Sequence, residues 1–386
     1  MPEKMKIIII GPAHPLRGGL SSYNERLARE FIKEGHEVLI ETFKLQYPGI
    51  LFPGKSQYSE EKAPEDLNIN ISINSINPLN WIRTGNRLRK ENADIVICKF
   101  WLPLMGPCFG TILRKIRKNK RSVIISILDN VIPHEKRPGD RLMTKYFLKA
   151  VDGFIAMSRS VLNDLETFDT HKPKLFNPHP LYDNFGEIIP KEKAREQLQI
   201  RSDEKIILFF GFIRDYKGLD LLIKAMDYDR IRAMKIKLLV AGEFYTDSKP
   251  YYKLIQDGGL ENNVIMSNDF IPDSKVARYF CSADVVVQPY KTATQSGITQ
   301  IAYHFNKPMI TTDVGGLAEI VPHEKVGYVI KPEVKEISKS IVKFYEEEKE
   351  IEFTKNVIKE KENYSWDKMT DKVYALKEIL DKNIGV

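Results

Sequence analysis

Residues 285–321 read VVVQPYKTATQSGITQIAYHFNKPMITTDVGGLAEIV, and this stretch decides the fold. Val285–Gln288 has the length and unbroken apolar character of a strand covered on both faces. Small and polar residues over Thr292–Gly297 end it, a helical spacing starts at about Ile298, and Met309–Thr312 is a second buried strand before Val314-Gly315-Gly316. Strand, helix and strand in that order make a βαβ unit, the building block of parallel sheets.

Working outward, the same alternation fills the chain. Strands are expected at Lys205–Phe210, Lys237–Ala241, Val264–Asp269 and Tyr328–Ile330 in the second half. In the first half they fall at Lys6–Ile10, Glu37–Thr42, Ile69–Ile73, Asp94–Cys98, Ser122–Leu128 and Gly153–Met157, with a helix over Ser21–Glu34. A chain of 386 residues is too long for one ordinary core and comfortable for two. Pro173 to Pro190 holds four prolines and no periodic pattern, so the break falls there. The expected fold class is α/β, with two Rossmann-like domains: a first domain at 1–180, a linker at 181–204, a second domain at 205–363, and a C-terminal segment at 364–386 that crosses back to the first domain.

Composition narrows the function classes. Only four isoleucines run together near the start, too few for a signal-peptide apolar region, and no window approaches the roughly 18 apolar residues of a membrane span. Cys98, Cys108 and Cys281 show no CxxC spacing, which points to a reducing, cytoplasmic setting and away from disulfides or zinc. The net charge of +7 is uneven: residues 1–190 carry 28 Lys and Arg against 21 Asp and Glu, while 191–386 are balanced. Arg114–Arg121 (RKIRKNKR) reads as a basic amphipathic helix able to lie on anionic lipid, or as a solvated face. No zinc-finger, RRM or KH signature accompanies the charge, so nucleic acid is not an expected partner.

Three turns carry chemistry. Gly18-Gly19 lies between the first strand and the first helix, where backbone amides can meet an anion, although the GxGxxG fingerprint is absent. In ILFFGFIRDYKGLDLLIKA (207–225), Arg214 and Lys217 fall between a strand's carboxyl end and a helix, the place where open parallel sheets bind phosphates. In the opening stretch, Gln295, Ser296, Gly297 and Ile298 form a helix N-terminus directed at the same crevice. Asp227-Tyr228-Asp229 has the form of a metal-binding DxD, but it follows a helix and precedes a strand, at the wrong end of the sheet; no metal is expected.

Taken together, these motifs resemble those of the GT-B-fold, family-4 retaining glycosyltransferases. GFIRDYKG (211–218) is similar to their G-R-x(3–4)-K-G turn, and KPMITTDVGGLAEIV (307–321) to their K-P-V-I-x-T-D-x-G-G-x-x-E-x-V run. The first half is similar more loosely, through the GGL loop (18–20), whose Gly18 and Gly19 are counted with the donor site, and through LDNVIPHE (128–135), which resembles the acceptor-side loop. The resemblance implies a GT-B architecture with two sheets facing across a central cleft, acceptor-side residues in the first domain and a nucleotide-sugar donor in the second. It places His134 near the reacting centre, Ile271 in the loop that meets the nucleobase, and Glu319 as the acid after the Gly-Gly. One departure stands out. The family's two glutamates, eight positions apart, align with Ala293 and Ile301, and a shift of one or two residues offers only Gln295, Thr299 and Gln300 as uncharged partners for sugar or ribose hydroxyls.

The expected activity is metal-independent, cofactor-free transfer of a sugar from a nucleotide-diphosphate donor to a hydroxyl acceptor, with the retention of configuration that the resemblance implies. The basic first domain suits a lipid-linked or anionic acceptor, peripheral membrane contact and a place in cell-surface polysaccharide or lipid-linked glycan assembly, and a small soluble acceptor is equally compatible with the motifs. The alternatives are a GT-B-like sugar-nucleotide epimerase and a catalytically silent nucleotide-sugar-binding subunit.

Overall fold

A computed structural model describes residues 4–48, 56–133, 137–168, 171–293 and 296–384. The chain divides into two compact units, Met1–Pro180 with Ser365–Val386, and Leu181–Tyr364.

Unit 1 is wound as β1 (Lys6–Ile10), α1 (Gly19–Lys33), β2 (Glu37–Leu45), β3 (Ile69–Asn74), α2 (Pro78–Lys90), β4 (Ile95–Phe100), α3 (Gly106–Ile116), β5 (Val123–Leu128), α4 (Asp140–Leu148), β6 (Gly153–Ala156), α5 (Arg159–Glu166) and β7 (Lys174–Phe176). Its seven strands lie in the order β3-β2-β1-β4-β5-β6-β7, and every pairing is parallel. β1, β4 and β5 are isoleucine- and valine-rich and buried on both faces, as strands between two helical layers must be. The basic run 114–121 is not one helix: α3 ends at Ile116, and Arg117–Asn119 continues as a 3₁₀ turn. Arg114 donates to the Tyr146 carbonyl, Arg117 to that of Ala150, and Arg121 pairs with Asp94, so these arginines tie the layer together.

Unit 2 opens with α6 (Lys191–Gln197), inside the stretch read as a linker; Arg195 on this helix is buried against Asp284 at 2.9 Å. There follow β8 (Lys205–Phe210), α7 (Leu219–Met226), α8 (Asp229–Ala233), β9 (Ile236–Ala241), α9 (Lys249–Asp257), β10 (Val264–Ser267), α10 (Val276–Ser282), β11 (Val285–Gln288), α11 (Gly297–His304), β12 (Met309–Thr312), α12 (Leu317–Ile320), β13 (Gly327–Ile330), α13 (Val334–Glu346) and α14 (Lys349–Glu360). The six strands run parallel in the order β10-β9-β8-β11-β12-β13. The chain then returns to unit 1 as α15 (Trp366–Ile384), whose Trp366, Met369, Val373, Leu376 and Leu380 are buried against α1, β5, β6 and β7. Leu376 and Leu380 lie directly on Gly153, where a side chain on β6 would hold the helix off. Each unit is thus a doubly wound α/β domain, and each sheet reverses its strand order once, between β1 and β4 and between β8 and β11. At such a switch point the loops beyond the strands' carboxyl ends splay apart and leave a crevice.

Candidate active site

In unit 2 the turns after β8 and β11 flank the switch point, and those after β9, β10 and β12 follow along the same carboxyl edge of the sheet. β8 ends at Phe210, and the chain reaches α7 through Gly211, Arg214, a 3₁₀ turn at Asp215–Lys217, and Gly218. Gly218 has φ +69°, and a methyl group there would run into the Pro289 carbonyl oxygen, so only glycine lets this turn press against the end of β11.

That close packing buries Lys217, which is 8 % exposed. A methyl placed on Gly211 would stand 3.1 Å from both Lys217 Nζ and Ile298 Cδ1, so the ammonium and the side chain of Ile298, a first-turn residue of α11, both border Gly211. The ammonium's other wall is the Tyr290 ring, whose centroid is 5.6 Å from Nζ. Arg214 is half-buried and lies over Tyr245, 5.1 Å from the ring centroid. Neither cation has a carboxylate partner among the described residues. The acids close in sequence are spent elsewhere, since Lys291 holds Asp215 at 2.8 Å and Asp220 at 3.0 Å. Burial, reinforced by Arg214, pushes the Lys217 ammonium down to about 7. A cation kept in so unfavourable a setting calls for an anion.

The start of α11 adds amide donors. Ser296 caps the helix by accepting from the Ile298 amide at 3.2 Å, and its hydroxyl lies 3.3 Å from Tyr290 Oη, whose proton burial holds more tightly. Gly297 packs against the Tyr182 ring, where a methyl would approach to 2.7 Å. Lys217, Ser296 and Ile298 therefore gather around Tyr290 and Gly211, with Arg214 close enough to Lys217 for its charge to be felt there. Thr299 and Gln300 lie beneath the crevice surface, both fully buried; Thr299 donates to Gln288 at 3.1 Å, and both amide atoms of Gln300 are without a partner. Glu319 is exposed in the first turn of α12, beyond β12. Ile271 is half-buried in the loop after β10. His134 and Gln295 lie outside the described residues.

Sequence reasoning missed an aromatic patch beside Arg214. Phe212 stacks on Tyr245, with centroids 4.3 Å apart, and on Phe270 at 6.2 Å. These rings follow β8, β9 and β10 within a few residues, and that shared offset was the only signal available. Asp227 and Asp229 stand at the opposite end of the sheet, where Asp227 pairs with Arg232.

In unit 1, Gly18 has φ +101° and caps α1, and Gly19 is the helix's first residue, both at the carboxyl end of β1. Below the 129–133 segment, Lys99 is 1 % exposed, 3.0 Å from Asp129 and 3.3 Å from the Tyr23 ring centroid; burial pushes it down to about 8 despite the carboxylate. Among the described residues no group of His, Cys, Asp and Glu has a metal-ligand arrangement, and no helix is long and apolar enough to cross a membrane.

Two parallel-sheet α/β domains with this topology define the GT-B class. HepE of Anabaena, solved in complex with UDP, shares the fold at a TM-score of 0.72 over 99 % of this chain and 100 % of its own, with 14 % identity. The family model described as "Glycosyl transferases group 1" matches residues 190–363, and that of "Glycosyltransferase Family 4" matches 17–175. The chain belongs to the group 1, family-4 glycosyltransferases. An uncharacterized glycosyltransferase of Methanocaldococcus jannaschii is 31 % identical over 37 % of this chain and 36 % of its own length. The N-acetyl-alpha-D-glucosaminyl L-malate synthase of Bacillus anthracis is 23 % identical over 84 % of both. The first relatives are matched over little more than a third of their own length.

Proposed function

We propose that the chain moves a sugar from a nucleotide-diphosphate donor to a hydroxyl acceptor with retention of configuration, without a metal. The observation that supports this reading is the buried Lys217 between Tyr290 and the Ile298 side chain, with Arg214 in the same turn and neither cation paired with a carboxylate among the described residues. A donor diphosphate laid there gains Arg214 as a bidentate donor, Lys217 as a point charge and the first amides of α11. As the bond from the anomeric carbon to the phosphate oxygen breaks, charge grows on that oxygen, and the same groups stabilise it more than they stabilise the intact donor. The acceptor oxygen forms the new bond, and its proton goes to the leaving phosphate. The two cations supply the neutralisation that a divalent ion would otherwise give.

The patch of Phe212, Tyr245 and Phe270, next to the loop with Ile271, offers ring faces to a nucleobase. The UDP bound by HepE makes a uridine nucleotide the first to test. Gln295 and Glu319 are assigned to sugar and ribose hydroxyls, Gly18 and Gly19 to the donor, and His134 to the reacting centre, while Thr299 and Gln300, fully buried, support the start of α11 from beneath. The charge excess of the first half suits a lipid-linked or anionic acceptor, and the three unpaired, buried cysteines suit a cytoplasmic setting.

A thermal-shift screen against UDP-, GDP-, ADP-, CMP- and dTDP-sugars identifies the donor, because a ligand that binds only the folded state raises its stability. Arg214→Ala and Lys217→Ala are each expected to cut the transfer rate by about a hundredfold or more, the effect of losing one donor to a developing charge. A response to none of the nucleotides, or full activity in both variants, would refute the assignment.

A further inference from the structure

Helices α2, α3 and α4 lie side by side on one face of the unit 1 sheet, α3 packed against both neighbours. The segments that make this layer, 78–90, 106–121 and 137–149, contain four, six and four Lys or Arg and a single acid, Asp140. Some of the cations are spent within the layer, as described above. Arg83, Lys118, Lys145 and Lys149 have no carboxylate partner among the described residues, and Arg83 and Lys145 are exposed.

The same layer leaves large apolar side chains in water. Leu79 is 66 % exposed and Ile76 56 %, at the start of α2, and Leu142 is 74 % exposed in the first turn of α4. Ile82 and Leu104, each 37 % exposed, stand on α2 and just before α3. Scattered singly such residues mean little, but these gather at the N-terminal ends of three adjacent helices, along the carboxyl edge of the sheet. Trp81 and Trp101 are half-buried at that edge, with their indole N–H groups bonded to the Asn74 carbonyl at 2.7 Å and to Tyr47 Oη at 2.8 Å.

We propose that this edge of α2–α4 docks on an anionic lipid bilayer, with Ile76, Leu79, Ile82, Leu104 and Leu142 entering the boundary between headgroups and acyl chains. Charge complementarity selects this occupant. A second copy of the same face would bring cations against cations, and a polyanion alone gives exposed leucines no apolar medium. An anionic bilayer receives both kinds of group at once, phosphates for Arg83 and Lys145 and hydrocarbon for the leucines beside them. Docking so oriented presents a lipid-linked hydroxyl at the carboxyl edge of the unit 1 sheet, where Gly18 and the segment after β5 also lie. The surface acts independently of the donor chemistry, so its failure leaves the proposed reaction standing.

Cosedimentation of the full chain with phosphatidylcholine vesicles, with and without phosphatidylglycerol, tests the proposal. Binding is expected only when phosphatidylglycerol is present, to weaken as salt rises, and to shift tryptophan emission to the blue. Arg83→Glu with Lys145→Glu should lower vesicle affinity at least about 25-fold, since each cation near an anionic surface is worth about fivefold. Leu79→Ser with Leu142→Ser should abolish the emission shift while the thermal midpoint of the free chain stays as it was. Equal binding to neutral vesicles, no binding at low salt, or loss of a dimer in Leu79→Ser with Leu142→Ser in place of an effect on vesicles would each overturn it. The wild-type measurements decide the question even if a variant fails to fold.

Discussion

Lys217 shows how much a single buried charge constrains a free crevice. Its folded value, near 7, lies below the ordinary 10.5, so between those two values the unfolded chain binds more protons than the folded one. Stability therefore rises with pH across that window, and the cost of burying the ammonium is complete below pH 7. Lys217→Met should flatten this rise in a series of denaturant midpoints. A bound diphosphate reverses the preference by favouring the ammonium, so binding takes up a proton above pH 7. Affinity should then fall as pH rises through 7, by at most about tenfold per unit. Calorimetry in buffers of different ionisation enthalpy reads the uptake, and a pH-independent affinity would place the diphosphate elsewhere. The pair of cations was legible in the sequence because both lie within one motif. The rings around them were not: Phe212, Tyr245, Phe270 and Tyr290 come from four separate turns, and nothing short of the folded sheet draws them together.

At the scale of elements, the turn from β8 to α7 is held by close contact with the end of β11, and Gly218 is where the two meet. Gly218→Ala must both strain a positive φ and displace the Pro289 carbonyl, so a loss of about 3 kcal/mol is expected, enough to lower the denaturant midpoint clearly. Donor affinity should fall with it, because Lys217 hangs on the same turn. Most strands were legible from apolar runs: Lys6–Ile10, Lys205–Phe210, Val285–Gln288 and Met309–Thr312 begin and end where the residues say. β7 was not, since Lys174–Phe176 is three residues long, lies among prolines and is ordered by pairing with β6. The helix read through Arg114–Arg121 failed because periodicity registers which face a side chain takes but not the left-handed residue, Lys120 at φ +56°, that ends the turn.

Across the whole molecule, unit 2 is a continuous insertion in the chain of unit 1, and its two ends are joined by a hydrogen bond from the Leu181 amide to the Tyr364 carbonyl at 2.8 Å. α15 is the last part of unit 1 to be added. Its five buried apolar side chains are worth about 1.5–3 kcal/mol each, a sum comparable with the 5–15 kcal/mol that holds a domain folded. Truncation after Tyr364 should therefore unfold unit 1 and leave unit 2 intact, which hydrogen exchange would report as protection confined to 181–364. The same connectivity sets an order of events on the ribosome, where domains fold as their sequences emerge. The first seven strands leave the exit tunnel early yet wait, with the face that receives Leu376 and Leu380 still bare, while all of unit 2 is translated. The inserted donor-side unit is complete before its host is, and during that interval the nascent host sheet is the surface most in need of a chaperone.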